Sequence, residues 1–588
     1  MEEEKQLATT KNENDEIKYG GMKAVPYIIG NEIFGKLGNA GLTSNLLVYL
    51  TTIFNIKHVT AVIVLSIFHG TAALTPLIGG YVADTFLGRF RTLGFAFSID
   101  LVGSILITLT ATITKLHPPK CGTNDKHLCA EPTAPQWTLL FFAFGFLVIG
   151  AGGVRPCGLA FGVDQFNPNN EAVKSSITSF INWYTFVVQM SFLVSLTLIV
   201  YVQSNLSWSI GLALSTCLSI IAYCIFFMGS RIYVKLKPGG SPVTSLMQVL
   251  VAATKKWGLR HPENPEVSLF NRRPPNIYMN CKLDHTNQFR FLDKAAIITV
   301  EDKISTNGTV ANPWRLCTVQ QVEEVKCLAR VIPIWASLCI FNLATSVQHT
   351  YVVFQALQSD RHIRKFEVPA SSYLVITYLS ACLWIPVYDR VIVPSLRRIT
   401  CKEGGITLLQ RMGIGTTLSI ISMLVSGLVE ERRRGIALAF PTLGITKNGG
   451  AISSMLGFWL IPQLAIIGLA EAFSSAAQIE FYYKQFPDNM RSIGMSTYIF
   501  GMAAGNYLCG SIVSIVHQTT EGAPTGNWLP EDLNKGRLDY FYYMITLVQI
   551  VNLLYFLVCS RWYRYKRTGC PTDNEVEINS RIIDKSSI

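Results

Sequence analysis

Charge is scarce in this sequence. Asp, Glu, Lys and Arg make up only 15% of its 588 residues, against about 25% in soluble domains. Half the chain is instead hydrophobic, at 49%, and the mean hydropathy is positive at +0.32. That balance excludes an ordinary soluble domain and is the composition of a membrane protein. The fourteen cysteines show no pair-of-pairs spacing of the kind that binds zinc. No glycine-rich phosphate-cradling loop is present, which excludes ATP-driven work. No nucleophile–base arrangement or intramembrane metal cluster marks an enzyme, and no cofactor is implied. The start, MEEEKQLATTKNENDEIK, lacks the basic-then-apolar order of a cleavable signal peptide and is expected to be a cytosolic tail.

Long apolar runs are what the chain does have. Runs able to cross about 30 Å of hydrocarbon fall near 25–50, 60–83, 93–115, 137–160, 177–202, 207–229, 327–350, 368–392, 406–428, 454–483, 490–517 and 538–560, which makes twelve. The loop at 231–326 carries fourteen Lys and Arg against eight Asp and Glu, and further basic clusters stand at 89–91, 397–398 and 564–567. Positive residues collect on the cytosolic side, so both termini and this loop are expected there. Arg432, Arg433 and Arg434 object, because they follow the ninth run on what becomes the outer side. The net charge of +12 reflects such flanking residues touching anionic lipid, with no nucleic-acid partner implied. Cys121 and Cys129 share an outer loop where a disulfide is an open question. The Asn205-Leu206-Ser207 sequon lies very near two membrane ends.

The expected organisation is a tail (1–24), a six-helix bundle (25–230), a cytosolic linker with short helices (231–326), a second six-helix bundle (327–561) and a tail (562–588). Two bundles of related construction agree with an internal echo: GGYVADTFLGRFRT (79–92) and WIPVYDRVIVPSLRR (384–398) each put an Asp and then Arg at a cytosolic turn. Asp84 and Arg89 of the first copy are expected to bond across the turn and gate the conformation. In the linker, 318–331 has helical spacing and is expected to lie on the membrane surface, and a second helix is expected near 293–297.

Charged groups inside a span cost about 2.5–3.5 kcal/mol on insertion scales, so they usually face a cavity and a partner. Four qualify: Glu32 and Lys36 in GNEIFGKLGNAG (30–41), four residues apart and so one above the other on a helix, Arg155, and Glu471. His349 lies on span 7, and Trp335, Tyr49 and Tyr351 are aromatic candidates for lining a cavity.

GGYVADTFLGRFRT closely resembles the signature between spans 2 and 3 of the major facilitator superfamily. GAGGVRPCGLAFGVDQF (150–166), SFINWYTF (179–186) and GLAEAFSSAAQIEFYYKQFPDNMRS (468–492) resemble the proton-coupled oligopeptide transporter family. LLVYLTTIFN, FRFLDKAAI, EEVKCLARVIPIW, ITLLQRMG and SRWYRYK are similar to its plant nitrate/peptide branch, in particular the subfamily with glucosinolate and nitrate carriers. The resemblance implies an all-α major facilitator fold and alternating access by two bundles. It places Arg155 at the family's basic position in span 4 and Glu471 at its acid in span 10. It also sets span 1 beside the family's proton-coupling pattern of two acids and a base, where this chain keeps Glu32 and Lys36 but has Gly35 at the second acid. Weakened proton coupling is the expectation. Thr345 stands where a nitrate carrier of the family has histidine, one turn before His349, and Thr92 where that carrier is phosphorylated. The implied function is secondary transport of a glucosylated metabolite, with low-affinity nitrate transport and a solute sensor of little flux as alternatives. The proton would be the coupling ion, the bilayer and a small solute the partners, and the plasma membrane, or else the tonoplast, the site. Oligomeric state is not legible.

Overall fold

The computed structural model describes residues 20–565 apart from 120–129, 167–170, 236–241, 260–268, 271–282, 284, 300–301, 303–309, 401–404, 447–449, 487–490 and 523–525. The Cys121–Cys129 pair and most of both tails therefore lie outside the described residues.

Among the described residues, eleven helices are long and apolar enough to cross a membrane: His58–Leu87, Arg89–Thr112, Ala134–Val163, Phe186–Leu206, Trp208–Arg231, Val319–Leu357, Ala370–Thr400, Leu408–Ala439, Gly457–Tyr482, Ser496–Thr520 and Leu538–Trp562. These are spans 2–12. Span 1 is built from Val25–Thr43 and Leu46–Thr52, interrupted at Ser44–Asn45. Its charges and its break keep it below the apolar threshold, which is why composition alone identifies it least clearly. The helix boundaries have local causes. Thr133 with Gln136 opens span 4 and Thr407 with Gln410 opens span 9, each as a reciprocal capping box. Gly88 ends span 2 at φ 77°, a left-handed turn that any β-carbon would strain.

Inside a bilayer, lipid is as apolar as leucine, so helices associate through close backbone approach more than through apolar burial. Gly79 of span 2 lies against the Gly152 carbonyl of span 4, where a β-carbon has no room. Gly38 and Gly41 of span 1 seat likewise against Ser219 and Ser215 of span 6. The faces left over, carrying Phe95, Phe142, Ile210, Leu547 and Val558, are exposed and apolar, as lipid-facing surfaces must be.

Two compact units emerge from the chain. The larger comprises Met1–Gly240, Ser337–Ala477 and Ile499–Leu554. Within it, the ends expected to face outward are tied together by contacts between the first and second sets of six spans. Asn45, at the break in span 1, accepts from Ser371 at 2.8 Å and donates to Ser204 at 3.1 Å. Ser372 donates to the Leu196 carbonyl, and Thr71 shares a 2.8 Å hydrogen bond with Tyr507. The His58 backbone donates to Glu531 at 2.7 Å while its ring stacks on Phe354.

The smaller unit comprises Ser241–Ala336, Gln478–Tyr498 and Tyr555–Ile588. Helix Pro242–Lys255 packs Val249, Ala252 and Ala253 with Leu292, Ala295 and Ala296 of the 3-10 turn Arg290–Ala296. The expected helix near 293–297 is thus a 3-10 turn. The 318–331 segment is not a separate surface helix but the first turns of the 39-residue helix Val319–Leu357. Its charges are neutralised where they are buried: Lys326 Nζ lies 2.7 Å from Asp293 and 2.8 Å from Glu323. Nearby, Lys256 Nζ lies 2.8 Å from Asp302. Burial pushes the Asp302 carboxyl up, but hydrogen bonds from Lys256 and Thr299 outweigh it and hold the group below its ordinary value.

The 430–434 stretch corrects the sequence reading. Span 9 runs on to Ala439, and Glu430 and Arg433 are fully buried, with Arg433 Nη2 at 2.7 Å and Nε at 2.8 Å from the carboxylate. Arg433 also donates to the Gln358 carbonyl and to Asn534, and Gln355 donates to Glu430. Arg433 is a paired core residue, so its charge does not argue against the expected orientation.

A charged candidate substrate cavity

The most defined site grows from a proline. Pro76 in span 2 has no N–H, so the Ala72 carbonyl four residues earlier loses its helical partner. Arg155 Nη1 of span 4 donates to that carbonyl at 3.0 Å. The guanidinium is thereby anchored at one end and free to present its remaining donors. It reaches a cavity of ≈ 50 Å³ lined by Glu32, Gly35 and Lys36 of span 1, Asp100 of span 3, Arg155 and Ser219 among others. Glu32 and Lys36 form the expected pair, with Nζ 3.3 Å from Oε1. The Tyr184 hydroxyl, on the helix Glu171–Val194 that leads into span 5, hydrogen-bonds Glu32.

Gly35 is not a packing glycine. A β-carbon there would meet only the Ala222 β-carbon at 3.7 Å and Asn31 Oδ1 at 3.8 Å, both ordinary contacts. Close approach belongs to Gly38 and Gly41 instead, and position 35 opens onto the cavity.

Glu471 and His349 form a second polar centre, with Nε2 3.2 Å from Oε1. Tyr378 lies beside His349 and stacks on Phe192 of span 5 at 5.8 Å. Neither Glu471 nor His349 lines the first cavity. Thr345 has a buried hydroxyl with no partner among the described residues.

Other expected site residues are placed elsewhere. Tyr49 is buried in the apolar core, shares a 2.8 Å hydrogen bond with Thr110 and packs on Trp208. Trp335 Nε1 donates to the Thr497 carbonyl within the smaller unit. Tyr351 is buried against Phe354 and Phe541. Thr92 is buried with its hydroxyl donating to Gly88, which withholds it from a kinase in this conformation. Arg89 pairs with Asp164 at 2.6 Å, and the side chain of Asp84 lies outside the described residues.

Asp100 is the residue sequence reading missed. It sits in an apolar span, GFAFSIDLVG, where the rule used for Glu32 and Arg155 applies equally. His285, Asp293 and Glu323 also converge, but Lys326 already supplies positive charge to both carboxylates.

Comparison with known proteins decides the family. A family model described as the POT family matches residues 90–529. The chain belongs to the POT family. Among curated relatives, it is 51% identical to protein NRT1/PTR FAMILY 2.11 of Arabidopsis thaliana over 96% of this chain and 92% of the relative. It is 49% identical to protein NRT1/PTR FAMILY 2.9 of the same plant across the whole of both. A solved auto-inhibited POT family peptide transporter is similar at TM-score 0.68 and 20% identity, covering 94% of this chain and 99% of that one. The fold, helical but for two short hairpins among the described residues, is therefore that of the major facilitator superfamily, and the protein is a multi-pass membrane transporter. The family is one of transporters and not of enzymes, and it needs no cofactor.

Proposed function

We propose that this chain is a secondary transporter of a glucosylated plant metabolite, glucosinolate-like or another glucoside, working by alternating access. The cavity of span 1, span 3, span 4 and span 6 carries the reading. Lys36 and Arg155 offer a mobile point charge and a planar fork for an anionic group. Asn31, Asn39 and Ser219 line the same space with donors and acceptors suited to sugar hydroxyls. Nitrate needs the cations alone, and Thr345 supplies no charge to a second nitrate site. Gly35 keeps that wall free of a side chain.

The rest of the reading concerns coupling and place. Span 1 brings one carboxylate, Glu32, so its own share of proton coupling is weak. Glu471 with His349 is the exchangeable centre of the second bundle, and Arg89 with Asp164 biases the conformational state. Both termini and the basic linker face the cytosol, in the plasma membrane or alternatively the tonoplast. Uptake into oocytes of labelled nitrate and a panel of labelled glucosides tests this. Saturable glucoside flux is expected. Flux of nitrate alone would replace the substrate, and binding without flux of any solute would favour a sensor.

A further inference from the structure

Asp100 stands apart from the other charges of the cavity. Glu32 has Lys36 and Tyr184, and Arg155 has the Ala72 carbonyl. The Asp100 carboxylate, by contrast, makes no hydrogen bond or ion pair among the described residues, although it lines the same cavity. Its backbone is held firmly. A β-carbon at Gly150 would stand 2.6 Å from the Asp100 β-carbon and 2.9 Å from its α-carbon, so span 4 is seated directly on it. The Asp100 carbonyl accepts from the Ser104 hydroxyl within the continuous helix Arg89–Thr112. A carboxylate with no direct ion pair, compensated only at longer range by Lys36 and Arg155, on a rigid helix inside an apolar span, is placed to exchange a proton.

The facing groups define what that charge can be. Lys36 and Glu32 face it from span 1 and Arg155 from span 4, while span 6 contributes Ser219 and Ala222. His69 of span 2 lies near Arg155. With both carboxylates ionised, Lys36 and Arg155 stand two against two with Glu32 and Asp100 in the empty cavity. When an anionic solute occupies the cations, Asp100 loses their compensation and the cavity becomes negative. One added proton restores neutrality.

We propose that Asp100 is the proton-accepting carboxylate of the first bundle, exchanging a proton with the aqueous side in the empty cavity and holding it more tightly once an anionic solute is bound. A proton from one aqueous side adds to a carboxylate oxygen of Asp100 and leaves from it to the other side, and no other bond changes. The assignment rests on the transport reading above, and it supplies the acid that span 1 does not hold at position 35.

Charge movement in voltage-clamped oocytes, recorded without any solute while external pH is stepped, tests it independently of substrate. Wild type is expected to show transient charge movement whose midpoint voltage depends on pH. Asp100→Asn, at matched surface abundance, is expected to lose that pH dependence. Asp100→Glu retains the carboxylate and is expected to keep the dependence with a displaced midpoint. Should Asp100→Asn fail to reach the surface, the Asp100→Glu midpoint decides, and one identical to wild type overturns the proposal. Wild-type pH dependence in Asp100→Asn, or none in wild type, also overturns it. Intact charge movement in a protein that carries no glucoside would overturn the substrate assignment and leave Asp100 standing.

Discussion

Gly35→Glu adds a carboxylate to the cavity at a wall position where a β-carbon meets only ordinary contacts. The backbone favours the change: replacing glycine inside a helix gains about 0.5–1 kcal/mol. Sterics do not oppose it, since the nearest atoms to the new β-carbon lie at 3.7 and 3.8 Å. Electrostatics opposes it. Side chains three residues apart on a helix stand about 5–6 Å from each other, so repulsion with Glu32 is roughly 3 kcal/mol at an effective dielectric of about 20. Lys36 and Arg155 cancel much of this. A residual of about 1.4 kcal/mol corresponds to a tenfold change in proton concentration. The variant is therefore expected to fold with near-normal thermal stability, to carry anionic solute more slowly at neutral pH, and to need roughly tenfold more protons for half-maximal flux. Uptake measured across external pH, with and without a protonophore, reports this. A large loss of thermal stability would show that Gly35 is a packing residue after all. Unchanged flux and pH dependence would show that position 35 does not face the solute path.

Arg155→Ala is expected to abolish flux and also to cost about 1–3 kcal/mol of stability, because it strands the Ala72 carbonyl. Adding Pro76→Ala restores the missing N–H, so the double variant should regain thermal stability without regaining flux. Lys36→Ala should reduce flux strongly at matched surface abundance, and normal flux would remove Lys36 from the binding site. Arg89→Ala breaks the 2.6 Å pair with Asp164 and should slow turnover while leaving solute binding intact, which equilibrium binding beside maximal flux will show. Arg433→Met leaves Glu430 buried without its partner and should cost about 3–5 kcal/mol. Replacing both partners should cost much less, a contrast that thermal unfolding in detergent measures.

The architecture was legible because each span must be long and apolar enough to cross hydrocarbon, a constraint written locally in sequence. Among the described residues, eleven helices satisfy it on length and composition, and span 1, which is not among them, is the one that spends its polarity on the cavity. The Glu32–Lys36 pair was legible for the same local reason, four residues of helical spacing. The carbonyl and amide partners of Arg155 and Arg433 were not, because they lie 75 to 101 residues away. The apolar threshold that flags Glu32 should have flagged Asp100 as well, but a lone acid without a neighbouring base carries no pairing signal. Tyr49 illustrates the reverse limit. An aromatic in a span can face solute or core, and only the Thr110 hydrogen bond and the Trp208 contact decide for the core.

Counterflow in proteoliposomes tests the central claim most directly. Purified protein is reconstituted, the vesicles are loaded with an unlabelled glucoside, and a trace of the labelled compound is added outside with no ATP and no ion gradient. Alternating access with a shared cavity predicts a transient overshoot of internal label, abolished by Arg155→Ala in the Pro76→Ala background. Binding of the labelled glucoside with no overshoot in the wild type would contradict transport. An overshoot undiminished by the double variant would contradict the assignment of Arg155 and its cavity to the solute.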